Sequence, residues 1–103
     1  MERYSIIIPT YNEEKSINRL LINLKFLNDN GHEIIIVNDG STDFTGQILN
    51  QHKHIRAIHY KSNKGKGRAI KVGLRKASYN AIIIFDSDRL RFVWLLKPKA
   101  ETP

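Results

Sequence analysis

The chain has 103 residues, enough for one small domain, with no cysteine and a formal net charge of +7. The missing cysteine excludes disulfides, thiolate nucleophiles and sulfur-ligated metals, and apolar runs no longer than a strand predict neither a signal peptide nor a membrane span, which makes a cytoplasmic location the default expectation. Charge is uneven: residues 1–52 carry four Lys or Arg against seven Asp or Glu, net −3, and residues 53–103 carry thirteen against three, net +10, so the second half is expected to attract an anion, from a diphosphate to a nucleic acid.

In chain order, Ser5 to Pro9 reads as a first strand. Glu13 to Leu27 follows as a helix, with Ile17, Leu20, Leu21 and Leu24 at helical spacing, Glu13 and Glu14 favourable at its start and Asn12 as its cap. Asn30-Gly31 ends it. Glu33 to Val37 is a second strand, too uniformly apolar for a sheet with one wet face. Ser41 or Thr42 is expected to cap a short helix through Ile48 and Leu49, with Asp43 in its first turn. Arg56 to Tyr60 reads as a weaker third strand. Beyond the turn KSNKGKG, the small-residue stripe Ala69, Ile70, Gly73, Leu74 and Ala77 predicts a helix packed closely on a sheet, and Ala81 to Phe85 is the fourth strand. The order β-α-β-α-β-α-β implies right-handed crossovers and a mostly parallel four-stranded sheet covered by helices on both faces. From Arg89 the pattern changes: FVWLL, flanked by cations, is compatible with an edge strand, a short helix or a surface anchor. The expected division is therefore an α/β unit at 1–88 and a basic, apolar tail at 89–103.

Three strands end in polar or acidic loops, and in open α/β sheets the carboxyl ends of the strands are where ligands bind. Asp86-Ser87-Asp88 follows a buried-type strand, and residues two apart in an extended segment face the same way. Both carboxylates can thus hold one Mg²⁺ or Mn²⁺ while leaving positions open for a substrate diphosphate; a solvated turn is the plainer alternative. Asp39, with Gly40 behind it, can accept from a nucleobase N–H or a ribose hydroxyl, or cap the helix that follows. Around Pro9, Tyr11 offers a face for stacking a base and Glu13 can reach a sugar hydroxyl, although an ordinary strand-to-helix turn would look the same. In Asn63-Lys64-Gly65-Lys66-Gly67-Arg68, glycines ahead of a helix let backbone amides approach an anion, without the spacing of a P-loop. His52 and His54 have no Cys or carboxylate partners at metal-ligand spacing.

Taken together and in this order, SIIIPTYNEE, IIIVNDGSTD, NKGKGRAIKVGL and IIIFDSD resemble glycosyltransferase family 2. These are inverting transferases of the GT-A fold, among them dolichyl-phosphate mannosyltransferases and many bacterial polysaccharide synthases. The resemblance runs from about Ser5 to Asp88. It implies the Rossmann-like nucleotide-binding half of a GT-A domain and a nucleoside-diphosphate sugar as donor. By the same resemblance, Pro9, Tyr11 and Glu13 border the base and ribose, Val37 and Asp39 lie against the base, Lys66 and Gly67 sit near the nucleotide, Asp86 and Asp88 hold the divalent cation, and the Ser87 backbone lies close to ribose or phosphate. Asn38 replaces the first acid of the family's frequent Asp-Asp pair. The family commonly continues well past the D-x-D to an acceptor site and a general base, so this chain is expected to be incomplete for catalysis alone, or to act with a complementing chain or as a homo-oligomer through its tail. The cationic, Trp-bearing tail also permits peripheral membrane contact. Nucleic acid is not the expected partner, because Tyr60, Tyr79 and Trp94 are not interleaved with the cations.

Overall fold

A computed structural model describes residues 2–86 and 91–96. The four expected strands form as β1 (Tyr4–Thr10), β2 (Glu33–Asp39), β3 (Arg56–Tyr60) and β4 (Ala81–Asp86), and a fifth, β5 (Arg91–Leu96), extends the sheet. The order is β3-β2-β1-β4-β5, so the sheet has five strands rather than four. The first four are mutually parallel and β5 pairs antiparallel with β4, with Trp94 opposite Ile83 and Val93 opposite Ile84. The apolar run FVWLL is thus part of an edge strand. A backbone edge left open by β4 offers hydrogen bonds that neither a helix nor a detached anchor would satisfy.

Alternation along the isoleucine-rich strands supplies two cores. Ile6, Ile8, Ile34, Ile36, Ile83 and Phe85 point to the face covered by α1 (Ile17–Asp29) and α2 (Thr45–Asn50), where they meet Ile17, Leu21, Leu24 and Leu49. Ile7, Ile35, Val37 and Ile82 point to the other face, covered by α3 (Lys66–Lys76), where they meet Ala69 and, just beyond the helix, Ala77. Uniform runs of β-branched residues occur because both faces are buried. The small stripe on α3 has the expected consequence: a Cβ on Gly73 would come within 2.4 Å of Ile7 Cγ2, so the helix rests directly on β1.

Two helix starts differ from expectation. α1 begins at Ile17 rather than Glu13, with Ser16 at its N-cap, and α2 begins at Thr45, with Phe44 rather than Ser41 or Thr42 at its N-cap. In each case the residues expected to cap their own helix are bonded to the other loop. Asn12, at φ 50, uses Oδ1 to accept from the amides of Thr42 (2.8 Å) and Asp43 (3.4 Å), while its own amide donates to Ser41 Oγ. Glu13 N donates to Thr45 Oγ1, Glu14 N to Asp43 Oδ2, and Phe44 N to Glu14 Oε2. The loops after β1 and β2 are laced side chain to backbone, and with their amides taken in this way the first turn of each helix moves downstream.

Candidate functional site

The switch in strand order lies between β1 and β4: β2 and β3 follow on one side of β1, and β4 lies on the other. Such a switch opens a crevice beyond the carboxyl ends of the strands. A cleft of about 260 Å³ lies there, lined by Pro9, Thr10, Tyr11, Glu13, Asp39, Asn63, Gly65 and Lys66. These residues come from the ends of β1 and β2, the turn after β3 and the start of α3, so packing of the sheet assembles them from distant parts of the chain. Tyr11 is 45% exposed at the cleft wall. Ser16 Oγ donates to Glu13 Oε2 at 3.0 Å.

Asp39 is buried, and its two carboxylate oxygens accept from the amides of Lys64 and Gly65, each at 2.8 Å. It therefore holds the chain entering α3, not α2 as the capping alternative expected. Two bonds leave lone pairs on the carboxylate that can still accept from a ligand. Gly40, at φ 73, lets the turn after β3 approach: an added Cβ would meet Ser62 C and Asn63 N at 2.4 Å. Asn38, where the family often has an acid, accepts from Ser41 N with Oδ1 and donates from Nδ2 to His59 Nδ1 at 3.0 Å. His59 Nε2 lies 3.1 Å from Asn50 Oδ1, so the chain of bonds is consistent with the proton on Nε2.

At the end of β4, Asp86 Oδ1 lies 3.0 Å from Lys66 Nζ, which places the first acid of the D-x-D beside the cleft. Asp88 and Ser87 lie outside the described residues. Val37 is wholly buried beneath the site, within the core under α3, and Gly67 lies in the exposed first turn of α3. Thr10, Asn63 and Gly65 line the cleft without having been singled out from the sequence; the signal was that each stands inside one of the quoted motifs. Among the described residues no three His, Cys, Asp or Glu side chains converge. One strand-end carboxylate nevertheless fits the way Mg²⁺ or Mn²⁺ is commonly held, by one or two protein carboxylates with phosphate oxygens and water completing the shell.

A larger recess, about 350 Å³, opens at the other end of the sheet, lined among others by His32, Glu33, His54, Arg56 and Ser78. Its carboxylate is committed to structure. Glu33 accepts from Ser5 Oγ (2.7 Å), Ser78 N (2.8 Å) and Ser78 Oγ (2.9 Å), with Arg56 at 3.6 Å. Burial by itself would raise the Glu33 pKa; the serine hydrogen bonds and the Arg56 charge outweigh it and hold the carboxyl below its usual range. The chemistry-bearing motifs lie at the carboxyl edge, which makes the smaller cleft the candidate site.

A family model described as Glycosyl transferase family 2 matches residues 5–90. An uncharacterized glycosyltransferase, YkcC of Bacillus subtilis, is 37% identical over 93 residues, covering 84% of this chain and 29% of its own length. S. aureus TarS 1–349 in complex with UDP superposes with a TM-score of 0.73 at 31% identity, over 85% of this chain and 28% of that one. The mannosyltransferase PcManGT from Pyrobaculum calidifontis, in complex with GDP-Man and Mn²⁺, gives a TM-score of 0.74 at 28% identity, over 84% of this chain and 27% of that one. The chain spans less than a third of the length of the curated relatives it matches.

Proposed function

The chain belongs to glycosyl transferase family 2, and from that premise we propose that its cleft is the donor half of a transferase site, binding a nucleoside-diphosphate sugar through Mg²⁺ or Mn²⁺ for inverting transfer. The observation that carries this reading is the convergence of Pro9, Tyr11, Glu13, Asp39 and Lys66 on one cleft, with Asp86 joined to it through Lys66. Tyr11 stacks the base. Asp39, rigid on two backbone amides, accepts from a base N–H, and Glu13 accepts from ribose. Val37 supports this wall from below, and the backbone at Gly67 and Ser87 approaches the phosphates or ribose. Asp86, with Asp88, holds the cation, which when bound would stabilise the leaving nucleoside diphosphate electrostatically.

Relatives are described with UDP and with GDP-Man, so both bases are tested. The dolichyl-phosphate mannosyltransferase-like variant of the reading singles out GDP-mannose. Calorimetry with UDP, UDP-GlcNAc and GDP-mannose, each with and without Mn²⁺, is expected to show metal-dependent binding of one base class. Asp86→Asn should remove the Mn²⁺-dependent increment, and Tyr11→Ala should weaken binding by about 1–3 kcal/mol, the scale of one base–aromatic stack. Absence of nucleotide binding in the presence of metal would overturn the reading.

A further inference from the structure

The Lys66 ammonium is paired with one oxygen of Asp86, the carboxylate that the donor-binding reading gives to the divalent cation. Its Nζ is 3.0 Å from Asp86 Oδ1, and the carboxylate side is the more deeply set of the pair, 14% exposed against 44% for the lysine. The placement is built rather than incidental. Asp39 accepts from the amides of Lys64 and Gly65, Gly65 is the N-cap of α3, and Lys66 is the first residue of that helix. The carboxylate at the end of β2 thus fixes where α3 starts, and that start aims Lys66 at the end of β4.

Resting on the donor-binding reading above, the geometry points to Lys66 as a positioning residue that holds Asp86 in the empty cleft and yields it to the divalent cation only when a diphosphate is present. The basis is competition for one carboxylate. Lys66 neutralises part of the charge that attracts a dication, and a dication on Asp86 would set two positive centres a few ångströms apart, in repulsion unless an anion lies between them. A diphosphate is such an anion, since it accepts charge-assisted hydrogen bonds from the ammonium while bridging to the cation. Lys66 therefore weakens cation binding to the empty cleft and strengthens nucleotide binding, so that each ligand raises the affinity for the other. An incomplete donor, whether a bare cation or a sugar phosphate lacking the diphosphate, gains least from this arrangement.

The test uses the full chain and Mn²⁺ as the probe, its free concentration followed by electron paramagnetic resonance, with UDP and GDP added separately. In Lys66→Met, which keeps the aliphatic stem and removes the charge, Mn²⁺ alone should bind about two- to fivefold tighter, the equivalent of one partly solvated ion pair. The factor by which nucleotide tightens Mn²⁺ should be smaller than in wild type, because phosphate coordination to the metal remains and only the Lys66 contribution is lost. Lys66→Gln, run in parallel with circular dichroism on every variant, must show the same tightening, and Lys66→Arg must behave as wild type. If wild type binds nucleotide with Mn²⁺ but both neutral variants bind Mn²⁺ alone no more tightly than wild type, the role assigned to Lys66 is wrong and donor binding stands. If wild type binds neither nucleotide under any condition, both fall.

Discussion

Asn38 shows why a residue can depart from its family's usual acid without disturbing the site. It bridges a donor, Ser41 N, and an acceptor, His59 Nδ1, and its amide supplies the oxygen for one and the N–H for the other, which an ionised carboxylate cannot do. A carboxylate there would keep the bond to Ser41 but set an acceptor against His59 Nδ1. The ring would then have to move its proton to Nδ1, leaving Nε2 an acceptor facing Asn50 Oδ1. Asn38→Asp is expected to destabilise the fold by about 1–2 kcal/mol, the cost of setting two buried acceptors against each other. Chemical denaturation of wild type and variant checks this. A variant as stable as wild type would contradict it. Asp39 is the companion case. Its position as an acid at a strand end was legible in the sequence, but its partners, 25 and 26 positions away, were not.

Among the elements, α3 is the one whose sequence most directly foretold its packing. Ala69, Gly73 and Ala77 are buried, and Gly73 has Ile7 Cγ2, Cγ1 and Cδ1 within 3.3 Å of where its Cβ would be. Alanine is the better helix former by about 1 kcal/mol, yet Ile7 is wholly buried and stiff at χ1, so it cannot swing aside. We expect Gly73→Ala to cost about 1–3 kcal/mol net, as for overpacking elsewhere, with partial rescue by Ile7→Val. Urea unfolding of the single and double variants measures both; a more stable single variant would show that α3 can lift without cost. Three of the strands were equally legible, because the β-branched runs Ile6 to Ile8, Ile34 to Val37 and Ile82 to Ile84 have little alternative between turn signals. β5 was not, since FVWLL has no period that separates strand from helix and only the open edge of β4 decides. Helix starts were the poorest guide: Asn12 and Ser41 are good caps by type but are bonded to each other's loop.

Across the molecule, the two ends of the sheet divide the work. The carboxyl edge carries the cleft, and the amino edge is clamped by Glu33, which ties β1, β3 and the turn after α3 to the start of β2. Its folded pKa is held below the ordinary glutamate value. The stabilisation is therefore complete above that value and is lost as the pH falls through the folded pKa. Asp43 behaves in the same sense: burial would raise it, but bonds from the Thr45 hydroxyl and amide and from the Glu14 amide hold it low. Thermal melts from pH 6 to 3 should show a steep acid limb in wild type and a shallower one in Glu33→Gln, which should be less stable at neutral pH. Taking the difference between the two proteins cancels His52, whose pKa is lowered by burial and by neighbouring His54. Parallel acid limbs would show that the clamp does not titrate.

The sequence by itself determined the four parallel strands, their connection and the gathering of the motif loops at one sheet edge. Those follow from local composition and from the handedness of crossovers, which act within a few tens of residues. What only the tertiary structure decided was which polar group answers which: Asn12 with Thr42, Asp39 with Lys64 and Gly65, Lys66 with Asp86. A hydrogen bond or ion pair is set by a separation of about 3 Å between particular atoms. That separation exists only after β1, β2, β4 and α3 have packed, so no pattern of residue types along the chain could specify it.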